Sequence, residues 1–435
     1  MRDLRKKALL ESGKTMSRKA RTREVSNFGS TNQSPLSSSA NSRPGSRAPS
    51  RYASEDEDTE DEDVNDSLTN SVIHSDDGED VITDWTDRLK DCISEILDRK
   101  RSSVHGRESY MAAYVHLTRH HFADTIIESH LYELIPALLK SIRSGRNTEE
   151  KVAALKALTM TMLSTQSDGI YDQVFSSLKS ASESSDEEIV KVEAINTMTV
   201  ATMFGGGMEA AAEDLMDFLL EIIESDGHHI EAGDNGPVVS TALTCWGFLA
   251  SHLDDLQSQS EQAIEAFTEQ LDSTDVDVQI AAGTNVALIF EVNKKEFKAE
   301  PFQPYDLQYN QHQLVQRMTE LAKESSKAVS KRDRRQLHAR FASIVTSLES
   351  GKGPGYSKAG RVARESDRGG ARVFDAEKVF SEFGYRETIR DQNMSLTIDS
   401  WSLSIRVAFL KKVLGGGFLT HWSDNPTVQE SFDTA

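Results

Sequence analysis

Cysteine is scarce in this sequence, with two residues in 435, and Cys92 and Cys245 each lie beside an apolar residue. Two isolated thiols cannot form a disulfide framework, so we expect both to be free and buried, as in a reducing compartment. No apolar run reaches the length of about 18 residues that a transmembrane helix needs. The N-terminus is basic and lacks the apolar centre of a secretory signal. The sequence therefore predicts a soluble, intracellular protein without a membrane partner, cytoplasmic and also nuclear.

Catalytic motifs are missing as well. The chain contains no GxSxG, no CxxC and no GxxxxGK[ST]. His116 and His120 have helical spacing, but the Glu of HExxH is absent and two imidazoles are too few for a closed zinc site. Gly205–Gly207 precedes a helix but follows no strand, which indicates an inter-helix turn and not a phosphate loop. We therefore predict a protein that is not an enzyme and that uses no metal, cofactor or small-molecule substrate.

Charge is distributed unevenly along the chain. The net charge of −21 and the hydrophobic content of 37% argue against nucleic-acid binding by the whole chain and for a partly unfolded one. Residues 1–24 carry nine Lys/Arg and three acids, residues 54–80 thirteen acids and no Lys/Arg, and residues 323–372 thirteen Lys/Arg and five acids. Residues 81–322 carry −22. Basic segments thus flank an acidic scaffold.

Residues 1–82 are predicted to form a disordered arm that is basic, then Ser-rich, then acidic. The basic run Arg18–Arg23 suits nuclear import or RNA contact, although a solvated arm has the same composition. Recurring arginines suit a basophilic kinase and the acids near residue 60 suit an acidophilic one, with plain solvating disorder as the alternative. The candidate regulatory phosphorylation sites are Ser46, Ser50, Ser54 and Thr59.

Residues 83–349 carry a helical repeat. The strings AALKALT, VKVEAIN, VVSTALT and VQIAAGT align so that one alanine of each falls in register, at spacings of 37, 48 and 40 residues. These alanines are Ala157, Ala194, Ala242 and Ala282. A period near 40 with two helices per unit is typical of HEAT and armadillo repeats. The insert 226–237, which we predict to be a hydrated edge loop, explains the longest spacing. The fold is predicted to be an all-α, HEAT/armadillo-like solenoid of five to six helix pairs.

The last helix of this solenoid and the residues after it are basic. Residues 350–372 are Gly-rich and almost free of large apolar side chains, which predicts a flexible linker. An arginine-loaded helix that leads into such a linker can follow a phosphate backbone, and the single aromatic residue Tyr356 favours backbone or shape contacts over base reading. The alternative is that these charges pair with the acidic solenoid or the acidic part of the arm. The flexibility of the Gly-rich linker favours phosphate binding, because a salt bridge within the protein would have to hold a flexible segment in place and would contribute little.

Residues 373–435 are predicted to form a small C-terminal module. Trp401 and the face formed by Val407, Leu410 and Val413 indicate a mini-core, and Gly415–Gly417 indicates a helix end. Four polar residues of the module, predicted to be exposed, extend the basic tract. The candidate RNA- or ribosome-binding residues are Lys331, Arg332, Arg334, Arg335, Arg340, Lys352, Lys358, Arg361, Arg364, Arg368, Arg372, Lys411, Lys412, His421 and Asn425.

Across residues 80–433 the chain resembles the interferon-related developmental regulators. The C-terminal match consists of Leu396, Ile398, Trp401, Leu410, Lys411, Leu414, Gly415, Gly417, His421, Asn425 and Phe432. The upstream match consists of Lys331, Arg334, Arg335, Gln336, Phe341, Ile344, Leu348 and Glu349. The linker between the two matched blocks is longer and more basic than expected of animal members. The resemblance is to a fungal or other lower-eukaryote member of the family.

The resemblance implies a non-enzymatic regulator with a helical-repeat fold. Family members have been connected with binding the ribosome, where they occupy the tRNA and mRNA paths and hold it translationally inactive. They have also been connected with nuclear transcriptional co-regulation through corepressor or deacetylase partners. The charge segregation favours the first role, with residues 331–372 on rRNA, the module beside them and the acidic solenoid on ribosomal proteins. The second role predicts a nuclear scaffold, which the run Arg18–Arg23 would support.

Overall fold

The computed structural model describes residues 85–98, 103–165, 167–253, 255–296, 310–323, 330–356, 388–391 and 394–433. The predicted arm, residues 1–82, lies outside them. Several helices begin where the sequence supplies a polar cap, whose side chain accepts a hydrogen bond from the backbone N–H three residues further on. These caps are Ser103, Asn147, Asn235, Ser330 and Ser400. Each cap satisfies one of the N–H groups that a helix start leaves unpaired.

Twelve helices in six sequential pairs make up the described part of residues 85–350. The first helices of the pairs are α1 (Trp85–Leu97), α3 (Asp124–Ser144), α5 (Tyr171–Ser184), α7 (Glu209–Glu224), α9 (Gln257–Gln270) and α11 (Gln311–Lys323). The second helices are α2 (Val104–His120), α4 (Thr148–Leu163), α6 (Glu188–Phe204), α8 (Gly236–Ala250), α10 (Val276–Glu296) and α12 (Lys331–Ser350). We call the second helices the B row, because each packs on the next from α2 to α12. The stacked pairs confirm the predicted helical-repeat solenoid.

The four aligned alanines lie where the B row packs. Ala157, Ala194, Ala242 and Ala282 are fully buried, one each on α4, α6, α8 and α10. A methyl side chain lets neighbouring helices approach closely, and larger apolar residues fill the layer on either side. The register predicted from the sequence is therefore the register of the core.

The insert 226–237 is anchored to the solenoid through a buried residue. Its Ile230 is buried, and the ammonium of Lys191, a residue that is 2% exposed, donates to the backbone carbonyl of Ile230 at 2.6 Å. The same ammonium donates to the carbonyls of Ser182 at 3.3 Å and Glu183 at 3.1 Å. Three carbonyls replace the water that a buried cation loses. The insert is thus anchored at Ile230, while the polar side chains for which hydration is predicted are exposed: His228, His229, Glu231 and Asp234.

Two short strands and three helices follow the solenoid. The strands β1 (Thr388–Asp391) and β2 (Met394–Thr397) pair antiparallel, with Thr388 opposite Thr397 and Asp391 opposite Met394. After them come α13 (Trp401–Leu414), a 3-10 turn (Gly415–Gly417), α14 (Phe418–Asp424) and α15 (Pro426–Asp433). We call the described elements from β1 to α15 the C-terminal module. Within the described ranges this hairpin is the only sheet, and the three glycines end α13 as predicted.

The C-terminal module packs along the B row. Helix α13 contacts α8 and α10, while the 3-10 turn and α14 contact α2. Phe409 of α13 stacks on Phe248 of α8, with ring centroids 4.0 Å apart and planes 22° apart. Solenoid and module lie within one compact unit, Thr59–Ala435. The predicted mini-core is therefore shared with the solenoid. We call this buried contact the module interface.

Candidate nucleic-acid interface

Helix α12 carries a charged face opposite an apolar one. Leu337, Phe341 and Ile344 are buried against the preceding helices. The side chains of Arg332 and Arg335 are exposed, and Arg334 and Arg340 are half-buried. The side chain of Lys331 lies outside the described part of the chain. Because α12 is the last helix of the B row, its arginines lie on a terminal surface that no further described repeat covers.

The chain after α12 stays close to that helix for a few residues. Lys352 is exposed, and its ammonium lies 5.5 Å from the ring centroid of Tyr356. The backbone N–H of Gly355 donates to the hydroxyl of Ser343 on α12 at 2.9 Å. Pro354 is buried. The flexible-linker prediction thus applies to residues 357–372, which lie outside the described residues.

Several candidate residues predicted from the sequence lie outside the part of the chain that the structure describes. They are the linker residues Lys358, Arg361, Arg364, Arg368 and Arg372 and the arm residues Ser46, Ser50, Ser54 and Thr59. Their roles stay predictions.

The start of α13 is held by a carboxylate of the solenoid. Glu291 of α10 accepts hydrogen bonds from the backbone N–H groups of Trp401 at 2.7 Å and Ser402 at 3.3 Å. The indole N–H of Trp401 donates to the hydroxyl of Ser347 on α12 at 3.0 Å. A carboxylate at a helix N-terminus is favourable, because that end carries partial positive charge. One acidic side chain of the solenoid therefore caps the first helix of the module.

The middle of the module interface contains a buried cation. Arg406 of α13 is 2% exposed. Its guanidinium donates to the hydroxyl of Ser251 at 3.2 Å, to the carbonyl of Ser251, and to the carbonyl of Ser431 at 2.8 Å. Burial lowers the pKa of Arg406 to about 10, so the side chain stays charged at neutral pH. Arg406 thus joins the C-terminal end of α8 to α15.

Next to Arg406, His252 links the same two elements. Its Nδ1 lies 2.8 Å from the carbonyl oxygen of Phe248, and its Nε2 lies 2.9 Å from the hydroxyl of Ser431. A carbonyl only accepts, so Nδ1 carries the proton and Nε2 accepts from Ser431. Burial, and then the charge of Arg406, lowers the pKa of His252 to about 3. The neutral ring is therefore the form that holds α15.

The far end of the module interface is closed by His421 and Asn425. Nε2 of His421 lies 2.8 Å from the carbonyl oxygen of Thr118 on α2, and the amide nitrogen of Asn425 donates to the carbonyl of Leu163 on α4 at 2.7 Å. The same amide lies 3.1 Å from Nδ1 of His421. Nε2 must donate to the Thr118 carbonyl, so Nδ1 is the acceptor of the Asn425 amide.

The prediction that His421 and Asn425 are exposed is wrong, because both are fully buried. Their polar atoms satisfy carbonyls at the ends of α2 and α4, which helices leave without an intrahelical partner. The two residues therefore face the protein itself and not a surface that an RNA contacts.

The 3-10 turn fits against α2 so closely that only glycine is accommodated. A Cβ added at Gly417 would overlap the carbonyl of Arg119. The backbone of Gly417 thus touches the last turn of α2. The glycine run of the motif both ends α13 and permits this contact.

The two lysines of the module are its exposed candidates. Lys411 and Lys412 both reach solvent. The ammonium of Lys411 lies 5.8 Å from the ring centroid of Phe418. Lys412 lines a cavity between α13 and the B row. Of the four module candidates, the structure leaves these two for contact with an external partner.

Sequence reasoning missed Glu291 and Arg406, the two charges that hold α13. Glu291 follows the apolar run from Val286 to Phe290, and Arg406 interrupts the apolar positions of α13. A single charge within an apolar helix is rarely left without a partner. That pattern was the available signal for a buried polar contact.

The two cysteines and the pair His116 and His120 make contacts that fit a structural role. Both cysteines are free and buried, as predicted, and burial raises the pKa of Cys92 and of Cys245 to about 11. Nδ1 of His120 donates to the carbonyl of His116 at 2.9 Å. Within the described ranges, no three His, Cys, Asp or Glu side chains lie together as metal ligands would. None of the helices described is both long and apolar enough to cross a bilayer.

Comparison with known proteins gives three findings. The model of the interferon-related developmental regulator family matches residues 49–349, more than half of this chain. An uncharacterized protein of Schizosaccharomyces pombe is 23% identical over 358 residues, which cover 79% of this chain and 74% of that protein. Among solved structures, a crystal structure of an engineered protein from a structural genomics consortium gives a TM-score of 0.36 at 14% identity, over 61% of this chain and 98% of that one.

Proposed function

Because the chain belongs to the interferon-related developmental regulator family, we propose that it is a non-enzymatic regulator that binds the ribosome. In this proposal it contacts rRNA and represses translation by occupying the tRNA and mRNA paths. The partners are rRNA and ribosomal proteins, and the compartment is the cytoplasm, with a nuclear fraction.

The observation that carries the proposal is the exposed arginine face at the end of the B row. Arg332 and Arg335 of α12 are exposed, and Lys352 is exposed just beyond the helix. The sequence then adds the basic segment 357–372, so cations continue from a fixed helix into the linker. Lys and Arg side chains positioned in this way supply most of a protein's affinity for a phosphate backbone. The rigid helix would set the position, and the linker would follow the RNA.

The solenoid carries negative charge that would attract basic proteins. Helix α7 carries only acidic charges: Glu209, Glu213, Asp214, Asp217, Glu221 and Glu224. Desolvation, and then the neighbouring carboxylates, raises the pKa of Asp217, which indicates that the acids repel one another. A basic protein surface would relieve that repulsion. This supports contact between the solenoid and ribosomal proteins, many of which are basic.

Sucrose-gradient sedimentation with purified ribosomes tests the proposal. The test variant is Arg332→Glu with Arg335→Glu, which reverses the α12 face. The control is Lys140→Glu with Arg146→Glu, which reverses two exposed cations of the second helix pair. We expect the wild type and the control to sediment with ribosomes at moderate salt, and the test variant to stay at the top of the gradient. Equal sedimentation of test and control variants, or none by the wild type, would contradict the proposal.

The alternative proposal is a nuclear transcriptional co-regulator that recruits corepressor or deacetylase proteins. The basic run Arg18–Arg23 supports it, since such runs serve in nuclear import. A variant lacking residues 1–24 distinguishes the two by localisation. Loss of nuclear protein together with loss of chromatin-bound complexes would favour this alternative, whereas retained ribosome sedimentation would favour the first proposal.

A further inference from the structure

The turn between α5 and α6 places one serine directly before three carboxylates. Ser185 is followed by Asp186, Glu187 and Glu188. The three acidic side chains are exposed, and Ser185 is half-buried. The backbone is extended at Ser185, with φ −77° and ψ 135°, and at Glu187, with φ −97° and ψ 118°. Peptide-recognition sites commonly bind such extended segments and read their side chains one after another. The turn therefore presents a hydroxyl with acids at the next three positions.

The hydroxyl of Ser185 lies at the start of α6. Its oxygen accepts a hydrogen bond from the backbone N–H of Glu187 at 3.2 Å. Glu187 directly precedes α6, and its own side chain forms no capping hydrogen bond. The first N–H groups of a helix have no intrahelical partner and carry partial positive charge. A phosphate on the oxygen of Ser185 would therefore lie where the helix favours negative charge.

A buried cation beside this turn has only neutral hydrogen-bond partners. Lys191 of α6 is 2% exposed. Among the described residues, its ammonium donates to three backbone carbonyls, two of α5 and one of the insert 226–237. Buried charges are normally paired with an opposite charge. Desolvation lowers the pKa of Lys191, and the charges of Glu231 and Asp186 raise it. Asp186 is the neighbour of Ser185, so negative charge in the turn acts on this ammonium.

From these observations we propose that Ser185 is a phosphorylation site for an acid-directed protein kinase. The oxygen of Ser185 attacks the γ-phosphorus of ATP, the bond from that phosphorus to the β-phosphate oxygen breaks, and ADP leaves. The hydroxyl proton passes to the general base of the kinase. The acids that follow the serine supply the charge pattern by which such a kinase selects its substrate. The phosphate then provides negative charge for the start of α6 and for Lys191.

Treatment of the full chain with casein kinase II and ATP tests the site. Trypsin releases residues 180–191 as one peptide, on which mass spectrometry locates the phosphate. The test variant is Ser185→Ala. The matched control is Ser184→Ala, which removes the neighbouring exposed hydroxyl, a donor to the carbonyl of Ser180 within α5. We expect this peptide to carry phosphate in the wild type and the control, and to lose it in the test variant. Phosphate on Ser184, or on the acidic part of the arm alone, would overturn the site.

Thermal unfolding tests the effect of the phosphate. The wild type and Ser185→Ala both pass through the kinase reaction, so any phosphate on the arm is common to the two chains. We expect phosphorylation to raise the Tm of the wild type by about 2 °C, because charge is gained at a helix start, and to change the Tm of Ser185→Ala less. The acids of the turn repel the phosphate and keep the gain small. An equal change in the two chains, or a lower Tm of the phosphorylated wild type, would overturn the stabilising role.

Discussion

The arginine face of α12 and the module interface are both polar, and both stand out in the sequence, but their surroundings are opposite. Arg332 and Arg335 are exposed at the end of the B row. Arg406 and His421 are buried, and each donates to a backbone carbonyl near the end of a B-row helix. Burial therefore separates the polar residues that attach the module from those that the proposed contact with rRNA would use.

The difference follows from the carbonyl groups at helix ends, which need a hydrogen-bond donor from outside the helix. The last carbonyls of α2, α4 and α8 have no intrahelical partner. The module supplies donors to three of them, at Thr118, Leu163 and Ser251. A donor that leaves water for such a carbonyl is costly to remove, because the carbonyl then stays buried and unpaired. Arg335 of α12 is exposed, so removing its side chain leaves no buried carbonyl without a donor.

The largest difference in the free energy of unfolding is expected between variants at Arg406 and at Arg335. Arg406→Ala leaves the carbonyls of Ser251 and Ser431 without their donor and opens a void, so we expect it to lower the free energy of unfolding by about 3–5 kcal/mol. The control Arg335→Ala removes an exposed arginine and should change it by less than about 0.5 kcal/mol. Urea unfolding followed by circular dichroism measures both. Similar losses in the two variants would remove the distinction between the surfaces.

A smaller loss is expected at the far end of the module interface. His421→Ala and Asn425→Ala should each cost about 2 kcal/mol, because each leaves one buried carbonyl unpaired. The two side chains also bond to each other, so a double-mutant cycle should give a coupling of about 0.5–1 kcal/mol. Glu430→Ala, at an exposed position of α15, is the control. Additive losses would show that the two residues act separately.

The sequence predicted the solenoid far better than the module interface. Aligned alanines recur locally, and their burial on successive B-row helices follows from the repeat itself. The contact between Thr118 and His421 joins residues 303 positions apart, and no local pattern specifies such a partner. His421 and Asn425 therefore looked like surface residues of a small separate module. The isolated charges Glu291 and Arg406 carried the missing information, because an unpaired charge in an apolar helix requires a partner elsewhere.

Acid should weaken the module interface more than the α12 face. The pKa of His252 is lowered to about 3 by burial and by Arg406, and burial also lowers that of His421. An unfolded histidine titrates near 6.5, so the unfolded chain binds protons that the folded chain does not. Stability is therefore full above about pH 6.5 and falls as the pH drops, for His252 down to about pH 3. The fall is at most roughly 1.4 kcal/mol per pH unit for each histidine.

Urea midpoints between pH 7.5 and pH 5 measure this effect. His252→Gln should flatten the decline, because the variant has no proton to take up at this position. His312→Gln, at an exposed position of α11, should leave the decline as in the wild type. An unchanged slope in the His252 variant would show that this ring does not couple protonation to folding.

The most direct test of rRNA contact by α12 is the salt dependence of ribosome binding. Each cation that neutralises a phosphate contributes about 1 to the slope of log K against log salt. Arg332→Ala with Arg335→Ala should therefore reduce the magnitude of the slope by about 2, with the Tm unchanged. Arg332 and Arg335 would then be phosphate contacts. A slope equal to that of the wild type would contradict the account, because it would place both arginines away from the RNA.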